Sequence, residues 1–223
     1  MKTISVFDII GPNMIGPSSS HTAGALRIAH LARNMVKDEV TNVEFVLYGS
    51  FAQTYKGHGT DKALVAGILG FDTEDYRIKD SLLIAQEAGL KYSFEPNTTE
   101  KVDHPNTVNI VLHDINGETT QVKGISIGGG RAIIKEINGV EINFSGEYHT
   151  VIIYHKDLPG VVANITRILS DHNINIAFMK LYRETKGSIA YSIIEADEPI
   201  NEEAVNKIES LPNVAKAMLI DKF

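Results

Sequence analysis

The chain has 223 residues, 43% of them hydrophobic, no cysteine, and a formal net charge of −7 from 28 acidic and 21 basic side chains. That length holds one large domain, or a medium domain and a small one. The acidic balance, with no local run of Lys and Arg to reverse it, argues against nucleic acid or an anionic membrane as partner, and the missing cysteines exclude disulfides, thiol catalysis and thiolate metal sites within this chain.

No run approaches the ~18 uninterrupted apolar residues of a membrane-spanning helix. The opening segment Met1–Asp8 turns acidic too early for a signal peptide, so a cytoplasmic protein is expected. Residues 1–16 read as a lead-in rich in Gly and Pro. From Ser18 a helix is predicted, with Ala25, Ile28, Ala29, Ala32, Met35 and Val36 at three- and four-residue spacing. The run 43–49 reads as a strand. Further helices are predicted near 61–69 and 80–88, the second stopping at Gly89. The middle then turns strand-rich. Residues 107–113 and 119–127 flank Asn116-Gly117, and 131–137 and 140–144 flank Asn138-Gly139. Both dipeptides are strong hairpin signals. Helices followed by antiparallel hairpins predict an α+β domain over 1–146, with a boundary at Ser145-Gly146-Glu147.

Beyond the boundary the pattern is β-α-β-β-α-β: strands at 150–154, 174–182, 188–195 and 214–220, helices at 161–172 and 202–211. That order is the ferredoxin-like arrangement. Asp157-Leu158-Pro159-Gly160-Val161-Val162-Ala163-Asn164-Ile165 and Asn173-Ile174-Asn175-Ile176 resemble an ACT domain, a small module that senses amino acids, over roughly residues 148–223. Gly160 lets backbone come close to a ligand, and the helix start after it offers free N–H groups to a carboxylate. Asp157, Leu158, Gly160 and Asn164 are the expected ligand or interface residues. The competing reading has Asp157 cap the helix and Pro159 fix its first turn, with the module serving to join subunits.

Two constellations in the first domain carry chemistry. In Gly16-Pro17-Ser18-Ser19-Ser20-His21-Thr22, Ser18, Ser19, Ser20 and Thr22 and the first-turn N–H groups can converge on one anion. His21 can donate to that anion or move a proton. A helix cap needs only one such hydroxyl. In Lys56-Gly57-His58-Gly59-Thr60-Asp61, flanking glycines leave His58 open as an acid/base or ligand, and Thr60 or Asp61 can cap the helix that follows or meet the substrate. Gly128-Gly129-Gly130-Arg131 is either an anion cradle or a bare β-bend.

Together these motifs and the appended module resemble the beta subunit of the iron–sulfur-dependent L-serine dehydratases, across nearly the whole chain. The first domain is also similar to the substrate- or effector-binding domain of some D-3-phosphoglycerate dehydrogenases. The resemblance implies conversion of L-serine to pyruvate and ammonia, in amino-acid degradation and gluconeogenesis, by a heterodimer inactive without its alpha subunit. It implies a [4Fe-4S] cluster held by cysteines of that alpha subunit, which fits the absence of cysteine here. It implies a shared site, with the Ser18–Thr22 loop on the substrate carboxylate and His21 or His58 as base. ACT-mediated self-association is a further expectation. Two rivals remain. One is a non-catalytic serine-binding regulatory protein. The other is a metallohydrolase on His21, His58, His104 and His113, disfavoured because no pair has a metal-helix spacing.

Overall fold

The computed structural model describes residues 12–220 and 222. The Met1–Asp8 segment and most of the expected lead-in lie outside them. The chain divides into two compact units between Gly139 and Val140. Among the described residues, no helix is long and apolar enough to cross a membrane.

In the first unit the helix expected from Ser18 begins as a widened turn. Ser19–Ala23 is π-helical, and α1 follows over Gly24–Asn34. Its spacing buries Ala25, Leu26, Ile28, Ala29, Leu31 and Ala32. Strand β1 (Val40–Tyr48) leads into α2 (Gly49–Thr54), α3 (Thr60–Ile68), a 3-10 turn at Tyr76–Asp80 and α4 (Ser81–Glu87). Strands β2 (Lys91–Asn97), β3 (Asn106–Asp114), β4 (Thr119–Gly128) and β5 (Arg131–Ile137) complete the unit; they run β2-β1-β3-β4-β5 in a six-stranded sheet whose last strand is β6 (Val140–Phe144).

The hairpins form at the expected turns. Asp114 Oδ1 accepts from the N–H groups of Asn116 and Glu118 at 2.9 Å, and Asn138 takes a left-handed φ of 48°. Strand β2, which pairs parallel to β1, is not legible from its own residues. Lys91, Ser93, Glu95 and Pro96 give it the polar alternation and proline of an edge strand, which reads as loop. The unit is therefore α+β, with one parallel pair in a sheet whose other pairings are antiparallel.

Helix α1 packs on β4 and β5 and against α3. Gly67 of α3 makes that crossing tight. A Cβ there would lie 2.8 Å from Ala29 Cβ and 2.9 Å from His30 N. The crossing sets α3 against α1 and the turn that precedes it.

The second unit opens with β6 (Val140–Phe144) and continues through β7 (His149–Lys156), α5 (Val161–Asp171), β8 (Ile176–Arg183), β9 (Ile189–Ala196), α6 (Glu202–Glu209) and β10 (Val214–Ile220). The division thus falls before β6, whereas the sequence places it after, at Ser145-Gly146-Glu147. Strand β6 also bonds to β8 within the second unit: Asn143 N–H donates to Tyr182 Oη at 3.2 Å and Lys180 Nζ donates to the Asn143 carbonyl at 3.3 Å. The sheet order β10-β7-β9-β8, antiparallel throughout, is the ferredoxin-like βαββαβ arrangement. Val151, Ile153, Ile165, Leu169, Ile194, Ile208 and Ala217 form its core between sheet and helices.

Candidate functional site

The site of the first unit gathers at the π-helical turn. Ser18 is extended (φ −142°, ψ 123°), and its Oγ accepts from the His21 N–H at 3.2 Å. A single π turn at a helix start widens the backbone and re-aims its side chains, and such turns recur at functional sites. Here the turn sends the His21 ring toward α2 and His58.

His21 is held at both nitrogens. Nδ1 lies 3.0 Å from Ser20 Oγ and 3.5 Å from Ser18 Oγ, and Nε2 lies 2.9 Å from Ser50 Oγ. Phe51 meets the ring edge-on at a centroid distance of 5.2 Å. The His58 ring stands 4.8 Å away, tilted by 43°. Burial, and then the neighbouring His58, hold the His21 pKa below its usual 6.5. A neutral imidazole at neutral pH has one nitrogen with a free lone pair, as a base requires.

His58 sits in the loop between α2 and α3. Its carbonyl accepts from Thr22 Oγ1 at 3.3 Å, and its Nδ1 is buried with no hydrogen-bond partner. Gly59 ends the loop at φ +68° as the N-cap of α3, a conformation that glycine takes without cost. Neither Thr60 nor Asp61 caps that helix; both lie in its first turn. Thr60 is fully buried with an unpartnered Oγ1, and Asp61 Oδ1 accepts from the Lys62 N–H at 2.8 Å.

The structure therefore brings His21, His58, Ser18, Ser20 and Thr22 together. The hydroxyls do not converge on open space: Ser18 and Ser20 face His21, and Thr22 is spent on the His58 carbonyl. Ser50 is a site residue that sequence reasoning missed. The one available signal was its place after Gly49 at the end of a strand. Also missed was a cavity of about 280 Å³ beside His58, lined by Ile15, Thr22, Lys56, Lys62, Ile78 and Lys79 among others. Its lysines are too far apart in sequence to read as a cluster.

The remaining predicted features lie elsewhere. Gly128–Gly130 is the β4–β5 turn, with left-handed φ at all three residues, and the Gly130 carbonyl accepts from Arg27 Nη1 at 3.0 Å. His113 is engaged by Thr119 and Glu44, and His104 accepts from the Asn106 N–H. Among the described residues, no three His, Asp or Glu side chains stand together as a metal site. With no cysteine in the sequence, the donor set does not suit an iron–sulfur cluster.

In the second unit, Asp157 is not a helix cap. Its Oδ2 accepts from Arg183 Nη1 at 2.8 Å and from the Gly187 N–H at 3.0 Å, so it ties the α5 loop to the β8–β9 turn. The Gly187 N–H, then Arg183, hold its carboxyl below the usual range. Gly160 is the N-cap of α5 at φ +89° with no side-chain bond, while Leu158 and Asn164 are exposed beside it.

Comparison with known proteins agrees with both units. A family model described as serine dehydratase beta chain matches residues 5–93, and an ACT domain model matches 149–213. A probable L-serine dehydratase beta chain of Bacillus subtilis is 44% identical over 99% of both chains. An L-serine dehydratase beta chain of Peptoniphilus asaccharolyticus is 42% identical over 99% of this chain and all of its own. A D-3-phosphoglycerate dehydrogenase of B. subtilis is 29% identical over 87% of this chain and 37% of its own length.

Proposed function

The chain belongs to the serine dehydratase beta-chain family, with a C-terminal ACT domain, and on that premise we propose that it is the beta subunit of an L-serine dehydratase whose active site it shares with an alpha subunit. The reaction is an elimination. L-Serine loses its Cα proton and its Cβ hydroxyl, and the aminoacrylate that results hydrolyses to pyruvate and ammonia. The [4Fe-4S] cluster is assigned to the alpha subunit, where it supplies the Lewis acid for the departing hydroxyl.

What this chain contributes is proton transfer and binding. The observation that carries the reading is the His21–His58 pair: two imidazoles 4.8 Å apart, with His21 held at both ring nitrogens. Desolvation keeps His21 neutral, ready to take a proton or to steady His58 as it does. Ser20 and Ser50 fix the ring plane, and Thr22 fixes the loop that carries His58. The Ser19 hydroxyl remains for the substrate, with Thr60 and Asp61 in the first turn of α3 beside the His58 loop.

The test is co-expression with an L-serine dehydratase alpha chain and anaerobic purification. The expected result is one brown complex that forms pyruvate from L-serine, with neither chain active alone. A chain that binds serine but joins no alpha subunit would instead be the regulatory protein that its similarity to a D-3-phosphoglycerate dehydrogenase suggests. For the ACT domain, the reading is side-by-side assembly of two copies through the outer strands, supported by the edge position of β8 and by exposed Phe178 and Leu181 on its two faces.

A further inference from the structure

We infer that the cavity beside His58 is the carboxylate pocket of this site, with the ammonium groups of Lys56, Lys62 and Lys79 as the anion's partners. The inference rests on the dehydratase reading and moves the carboxylate away from the serine hydroxyls. Three separate elements bring those lysines to one space: the α2–α3 loop, the first turn of α3 and the 3-10 turn at Tyr76–Asp80. No ion pair forms at any of the three among the described residues; Lys56 lies 5.7 Å from the Tyr55 ring centroid. A carboxylate bound there gains Coulomb attraction from the lysines that line the cavity. Ile15, Pro17 and Ile78 form apolar walls that strengthen the attraction. The volume, about 280 Å³, is at the small end of ligand pockets and suits an amino acid.

The surroundings are built rather than loose. Ile15 N–H donates to the Thr73 carbonyl at 2.8 Å, and Thr73 Oγ1 donates to the Asn13 carbonyl at 2.8 Å, pinning the segment that forms one wall. Ser81 Oγ donates to the Lys62 carbonyl at 2.7 Å, fixing the start of α3. The positive end of α3 also faces this loop, with no side-chain cap on Gly59. His58 lines the cavity, and its Nδ1 has no protein partner. A carboxylate on the lysines places the substrate's Cα next to His58, with His21 behind it. The hydroxyls of Ser18 and Ser20, committed to His21, then hold the second imidazole.

The test is amide NMR of the 15N-labelled full chain. L-Serine is expected to shift Gly57, Gly59, Lys62 and Ile78 saturably, and L-serinamide, which lacks the carboxylate, to leave them unmoved. Lys62→Met/Lys79→Met should weaken serine binding at least tenfold, while Lys62→Arg/Lys79→Arg keeps it within about threefold. Shifts confined to Ser18–Ser20, no shifts, equal shifts with serinamide, or equal loss in both double variants would overturn the inference. In the assembled complex the Met variant should raise KM for serine at least tenfold with a smaller effect on kcat. An unchanged KM, beside a complex silenced by His21→Ala, would sink the lysine pocket and leave the dehydratase reading standing. If His21→Ala is also fully active, the dehydratase site itself is misassigned.

Discussion

His21 and Ser50 show how much of the site depends on orientation. The serine has no reactive role here; its hydroxyl holds one nitrogen of a ring whose other nitrogen is held by Ser20. Ser50→Ala should lower kcat of the complex by about tenfold with little change in KM, since small misplacements of a catalytic group are costly. Steady-state kinetics would show it, and an equal rise in KM would mean that Ser50 touches substrate instead. The depressed His21 pKa has two consequences with defined sign. Below pH 6.5, His21 in the unfolded chain is protonated while the folded form resists it. The unfolded state then binds more protons, so stability falls as pH drops through and below 6.5. His30, desolvated in the same way, adds to the slope. Urea unfolding at a series of pH values should show this, with a shallower slope in His21→Gln. If His21 itself takes the Cα proton, the acid limb of kcat/KM should likewise lie below pH 6.5.

The elements that position the site follow from close packing. Helices α1 and α3 carry, respectively, the turn with His21 and the first-turn Lys62, and Gly67 lets them touch. Gly67→Ala puts a methyl against the Leu26 carbonyl and Ala29, backbone and short side chain that cannot swing aside. A loss of about 1–3 kcal/mol in unfolding free energy is expected, the range of overpacking in a well-packed core. A loss below ~0.5 kcal/mol, typical of a surface change, would mean that the crossing is looser than it stands. At this scale the sequence was readable where local chemistry decides. The α1 stripe, the Asn-Gly hairpins and both histidine motifs could be read directly. Strand β2 could not, because its pairing partner is β1, nearly fifty residues earlier in register (Asn42 with Lys91), and its own residues are polar. The π turn was hidden because Ser19–Ala23 shows no local pattern that separates a widened turn from an ordinary helix start. Nothing in the sequence links Lys62 and Lys79, which only the fold places on one cavity.

The whole chain is two units with different tasks. The first carries the imidazoles and the cavity. The second is an ACT domain whose sheet leaves β8 and β10 at its edges. Phe178→Asp/Leu181→Asp should halve the molar mass of the chain in multi-angle light scattering if β8 joins two copies; an unchanged mass would remove that role. The acidic charge of −7 gives no hint of the first unit's cationic cavity, since net charge averages over a surface on which three lysines weigh little. The account's central claim is that this chain brings the proton-transferring imidazoles to a site completed by an alpha subunit. The most direct measurement is turnover of L-serine by the purified complex carrying His21→Ala, with complex formation followed in the same sample by size-exclusion chromatography. Intact assembly and a fall in kcat of about 10²-fold or more are expected. Normal turnover by an assembled His21→Ala complex would contradict it.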